Sequence, residues 1–136
     1  MTTTALSFEV ELAQPYDRAI ETVTAALKAE GFGVLTRIDV HNTLKEKIGA
    51  DFRQYAILGA CNPTLAHRAL SHRGEAGLML PCNVTVEAAG KGALVRIADP
   101  DVMLSVGGMD QDPTLRSVAT EARARLSRVA DALAGK

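Results

Sequence analysis

Two Cys-Asn dipeptides, Cys61-Asn62 and Cys82-Asn83, contain both cysteines of the chain. A thiol becomes a nucleophile or a soft metal ligand once ionised. Two thiols can serve one pocket if the residues between them form a helix folded back on a sheet. Asn62-Pro63 is a strong helix start, with Asn at the cap and Pro at the first helical position. Cys61 then precedes a helix N-terminus, where backbone N–H groups and the helix dipole favour a thiolate. His67, on the same helix, can orient or deprotonate a thiol or bind a metal. The plainer alternatives are a cysteine packed as a small apolar side chain and a half-exposed histidine. Asn62 is most economically the helix cap, whereas Asn83, inside a strand, needs a hydrogen-bond partner from a loop or a ligand.

Cys61, Cys82 and His67 supply three metal ligands at most. Structural zinc takes four, usually in closely spaced pairs. Lys45, Glu46, Arg53 and Tyr55 form a second polar set. In it Arg53 can make a bidentate contact with Glu46 or with the carboxylate of a ligand. No Gly-rich phosphate loop, Gly-x-Ser-x-Gly elbow or His-Glu-x-x-His motif is present.

The elements that must position these residues follow from periodicity. Leu6, Phe8, Val10 and Leu12 alternate with polar residues as in a half-buried strand. Pro15 opens a helix with Tyr16, Ile20, Val23 and Leu27 on one face, and Gly31 ends it. Phe32–Val40 reads as a second strand. Asp39 caps a short helix bearing Val40, Leu44 and Ile48, with Gly49 beyond its end. Arg53–Cys61 reads as a central strand covered by helices. The Asn62-Pro63 helix runs to about Gly74. Leu78–Ala88 reads as a strand interrupted at Pro81 by an edge or bulge, and Gly90-Lys91-Gly92 turns it into Ala93–Ala98. The apolar stretch from Val102 to Asp112 either covers a site or packs on the core. Asp112-Pro113 opens a last helix with a stripe of Leu115, Val118, Ala119, Ala122, Leu126, Val129, Ala130 and Leu133, its arginines on the solvated side. These elements predict one α+β domain over residues 5–134. Its mixed sheet of about five strands comes with helices in the order β-α-β-α-β-α-β-β-α.

A chain of 136 residues suffices for one core without disulfides or metal. A net charge of -1 and the absence of Trp argue against a nucleic-acid or anionic-membrane partner. The N-terminus lacks the pattern of a signal peptide and no run suits a membrane span, so a cytoplasmic location with free thiols is the expectation.

Leu44-Lys45-Glu46-Lys47-Ile48-Gly49, Asp51-Phe52-Arg53-Gln54-Tyr55, Ile57-Leu58-Gly59-Ala60-Cys61-Asn62-Pro63, Leu65-Ala66-His67 and Leu80-Pro81-Cys82-Asn83-Val84 occur in this order. Together they resemble the DUF302 family, a prokaryotic family named for its lack of known function, over about residues 5–105. The resemblance implies a small α+β domain and a homodimer. It carries the motif positions Gly59, Cys61, Asn62, Pro63, His67, Pro81, Cys82 and Asn83, without any catalytic role or cofactor.

The reading that follows is a ligand- or metal-binding module with a small-molecule partner. Its site would comprise Cys61, Asn62, Cys82, Asn83, His67, Arg53 and Glu46. The alternatives are a thiol-dependent enzyme with Cys61 as nucleophile and His67 as base, and a structural dimerisation domain with core cysteines.

Overall fold

Alternation of apolar and polar residues sets the sheet. The computed structural model describes residues 1–135. A two-residue strand β1 (Thr2–Thr3) precedes β2 (Ser7–Leu12), α1 (Tyr16–Ala29), β3 (Gly33–Asp39), α2 (Val40–Ile48), β4 (Tyr55–Cys61) and α3 (Pro63–His72). A 3-10 segment, Gly74–Met79, leads to β5 (Cys82–Ala89), β6 (Gly92–Ala98) and the short α4 (Pro100–Met103). A second 3-10 segment, Val106–Gln111, then leads to α5 (Pro113–Leu133).

The described residues form one six-stranded sheet in the order β1-β2-β6-β5-β4-β3. The α+β class is as expected, but every neighbouring pair is antiparallel, so the sheet is not mixed. Helices between strands suggested parallel crossovers. Here α2 and α3 are each followed by a return segment, residues 49–54 and 73–81, that brings the chain back to the end of the sheet it left. The sixth strand, β1, is too short for a periodicity to reveal it.

The inward positions of the strands carry the core: Phe8 and Val10, Ala56, Leu58 and Ala60, Val84 and Val86, Ala93, Val95 and Ile97 are all buried. The apolar faces of α1 and α5 pack onto them, and the whole expected α5 stripe is buried. The outward positions bear Glu9, Tyr55, Asn83, Thr85, Arg96 and Ala98, which line an open cleft. This one-sided arrangement is common for antiparallel sheets, so β4, expected to be covered by helices, has one open face, where the outward Tyr55 floors a cleft. A register shift between Val34 and Thr36 marks a bulge on the edge strand β3.

Helix ends follow their local chemistry. α1 stops at Gly31, whose φ of 85° only glycine adopts readily. The N–H groups of Gly31 and Phe32 return to the carbonyls of Lys28 and Leu27. Asn62 caps α3, its Oδ1 accepting from the Leu65 N–H at 3.1 Å. Asp112 caps α5 in the same way through Thr114 and Leu115.

Other expectations need correction. Asp39 precedes α2 but makes no side-chain cap bond; its carboxylate accepts from Arg37 Nε at 3.0 Å instead. No residue of α2 is buried, and Ile48 is exposed, because the helix lies over the β3–β4 end of the sheet rather than on the core. Its tether is His41, whose Nδ1 accepts from the Tyr55 N–H at 3.0 Å. β5 starts only at Cys82, so Pro81 stands just before the strand and costs it no ladder bond. The arginines of α5 are not merely solvated. Arg123 pairs with the buried Asp99 at 3.2 Å, and Arg128 reaches Glu30 at 2.8 Å, tying α5 to α4 and α1. The stretch from Val102 to Asp112 packs on the core through Leu104 and Met109.

Candidate functional site

The two Cys-Asn dipeptides lie on neighbouring strands, β4 and β5. The register places Cys82 across from Ala60, and Asn83 across from Gly59. Cys61 is one position beyond Ala60, so pleat alternation turns it to the other face from Cys82. The thiols are free and do not stand as a facing pair, although both residues help to line one small apolar cavity at this end of the sheet. The cavity measures about 40 Å³, and its wall includes Phe32, Leu65, Met79, Leu80, Met103 and Leu104. That volume is on the scale of one or two waters.

Electrostatics run against the expected activated thiol. Burial raises the pKa of Cys61, despite its place before a helix N-terminus. Asn62, the cap itself, already takes up one N–H of the first turn. Burial, with a smaller contribution from Cys61, raises Cys82 to about 11. Both thiols are therefore protonated at neutral pH. His67 is exposed on α3 and does not line the cavity, so it neither orients nor deprotonates either thiol here. Among the described residues, no three of His, Cys, Asp and Glu are grouped as metal ligands. His72, in the last turn of α3, pairs with Asp112 at 2.7 Å.

The second polar set also divides. Arg53 does not pair with Glu46, which is exposed; it bonds Glu87 with Nε at 2.9 Å and Nη2 at 2.8 Å. Its guanidinium also lies 4.5 Å from the Phe52 ring centroid. Lys45 joins Asp51 instead. Glu87 is buried on the otherwise open face and receives a second arginine, Arg96, at 2.8 Å. Arg96 in turn lies 3.5 Å from Glu9. Burial pushes the Glu87 carboxyl up, but the hydrogen bonds from Arg53 and Arg96 outweigh it, and its pKa is lowered.

A lowered carboxylate pKa contributes stability that is present above the unfolded value and is lost as pH falls through the folded value. Glu87→Gln should therefore cost about 1–2 kcal/mol near neutral pH, the half-exposed arginines limiting the effect. The cost should shrink toward zero as Glu87 protonates in the acid range. Urea unfolding of both proteins at neutral and acid pH checks this, and an equal loss at both would refute it.

The larger concavity lies on the uncovered face. A cleft of about 530 Å³ is floored by outward residues of β2, β6, β5 and β4, including Glu9, Arg96, Asn83, Thr85 and Tyr55. One side is walled by Leu78, Met79, Leu80 and Pro81, together with Met103. Met79, Leu80, Pro81 and Met103 also wall the thiol cavity, so this short segment is a partition between the two spaces. Of the expected site residues, Asn83 lines the cleft, as does Tyr55, while Cys61, Asn62 and Cys82 lie behind the partition. Glu9, Thr85, Glu87 and Arg96 were not expected. Their signal was present as polar residues at the outward positions of alternating strands.

Among the described residues, no helix is long and apolar enough to cross a membrane. No curated protein matches the chain. The crystal structure of an uncharacterised conserved DUF302 protein from Bacillus stearothermophilus is similar to it, with 32% identity and a TM-score of 0.81. The match covers 94% of this chain and 98% of that one. The family model for the domain of unknown function DUF302 matches residues 8–133, nearly the whole of the described fold. With both the core strands and the C-terminal helix inside that match, the chain belongs to the DUF302 family.

Proposed function

We propose that this domain is a small-ligand-binding module whose ligand occupies the cleft on the open face of the sheet. The observation that supports this is the cleft itself, about 530 Å³ with a polar floor and an apolar wall, a size and composition typical of small-molecule sites. The thiol cavity, at about 40 Å³, is too small for anything beyond a few atoms. The thiol-dependent alternative gains no support from two protonated cysteines or from a distant, exposed His67. The two-cysteine pocket thus becomes the back of the ligand site, separated from it by Met79–Pro81.

The test uses an apolar fluorescent probe, Nile red, titrated into the folded protein. Saturable one-to-one binding is expected. Ala98→Trp, which fills the cleft from its floor, should abolish it, while Lys91→Trp in the exposed β5–β6 turn should not. Absence of saturable binding, or equal binding by the two variants, would overturn the reading.

A further inference from the structure

We infer that the cleft selects an uncharged amphipathic molecule, with an apolar body against the Leu78–Pro81 wall and a hydrogen-bonding head of the carboxamide type at Asn83. The inference rests on the cleft being the ligand site and adds the class of ligand it takes.

The first part of the argument is charge. The ionised groups lining the cleft are Glu9 and Arg96, which lie 3.5 Å apart. Glu87, which is outside the cleft lining, binds both Arg96 and Arg53. Two carboxylates and two guanidinium groups therefore satisfy one another. A carboxylate head in the cleft would meet Glu9 beside an Arg96 already engaged by Glu9 and Glu87, and an ammonium head would meet that Arg96 beside a Glu9 already paired with it. Either would lose hydration without a partner.

The second part is the distribution of unused polar groups. Asn83, Tyr55 and Thr85 line the cleft; the Thr85 hydroxyl is buried without a hydrogen-bond partner among the described residues, and the Asn83 carboxamide is exposed. All three are neutral. Asn83 offers a donor and an acceptor side by side, which matches another carboxamide or a similar head that both gives and takes a hydrogen bond. Asn83 is also the residue of the second Cys-Asn dipeptide for which no structural duty appears, whereas Asn62 caps a helix.

The third part is the apolar surface. Leu6 and Leu78 border the cleft with 61% and 78% of their surface exposed. Leu80, Pro81, Ala98 and Met103 continue that surface inward. Methionine adapts its shape to varied apolar partners. An aliphatic chain laid along this wall would take the apolar surface out of water.

Octanamide, octanoate and octylamine share a chain and differ only in the charge of the head, so titration calorimetry with all three tests the assignment. Octanamide should bind roughly tenfold or more tightly than either charged analogue, since an unpaired charge costs more than a neutral head to desolvate. Asn83→Ala should weaken octanamide about five- to tenfold, the loss of one or two hydrogen bonds, and leave Nile red unchanged. Asn83→Asp should move the preference to octylamine. If octanoate or octylamine binds wild type as well as octanamide, or if Asn83→Ala leaves octanamide unaffected, the ligand class is wrong. Nile red binding would still uphold the cleft in that case. If neither Nile red nor any octyl compound binds, both the site and its ligand class fall.

Discussion

Phe32→Ala should destabilise the domain by about 3–5 kcal/mol, the usual cost of emptying a buried phenylalanine site. Phe32 follows the Gly31 stop of α1 and is only 2% exposed, so its ring lies wholly inside the fold. It also lines the small cavity shared with both cysteines. The void left by the ring would join that cavity rather than close, which places the cost toward the upper part of the range. The thiols should gain access at the same time. Urea unfolding gives the stability, and the rate of thiol labelling in the absence of denaturant gives the access. A stability loss below about 1 kcal/mol with unchanged labelling would mean that α3 and the Met79–Pro81 partition collapse inward to fill the space.

Gly59→Val is the second large effect, with an expected loss of about 1–3 kcal/mol or more from overpacking. Gly59 is buried on β4, paired with Thr36 on one side and Asn83 on the other. Its backbone is not the constraint; the space above it is. A Cβ at this position would meet the Thr36 hydroxyl oxygen and lie 2.9 Å from Pro81 Cγ. Proline is a stiff ring, so it cannot move aside as the tip of a flexible side chain would. The partition would therefore shift, and Nile red affinity should change along with stability. Gly33→Ala is the matched control, because a Cβ there meets nothing within 4 Å. Similar melting temperatures for the Gly59 and Gly33 variants would show that Pro81 is not held against the sheet.

Much of this architecture was legible in the residues. The α5 stripe was read residue by residue, because a long helix repeats its period many times and tolerates no ambiguity. Asn62-Pro63 identified both the start and the cap of α3. Sheet topology was not legible, since strand patterns say which side is buried and not which strand is the neighbour. A helix between two strands is compatible with a parallel crossover or with an out-and-back excursion, and only the return segments at 49–54 and 73–81 distinguish them.

The site was harder for the same reason. Cys61 and Cys82 drew attention by their rarity, but chemistry depends on which way each side chain turns, and the register of β4 against β5 decides that. Sequence proximity offers Arg53 the carboxylate of Glu46 or of a ligand, while its partner in the fold, Glu87, comes from β5. The β5–β6 turn did contain usable information. It sets Thr85 opposite Arg96 and brings Glu87, next outward along β5, beside the same arginine.

The strand order has a consequence for how the chain reaches its native state. β2 is formed by residues near the beginning of the chain, yet its principal partner is β6, close to the end. β3, β4 and β5 each pair with the next strand along the chain, so the β3–β6 part of the sheet can assemble in the order it is made. β2 cannot. During synthesis, Phe8 and Val10 must wait without their final partners until the β5–β6 turn and β6 have emerged. Such distant pairings lengthen the search for the native fold and prolong the exposure of apolar surface. The last rung of this sheet is thus its first long strand.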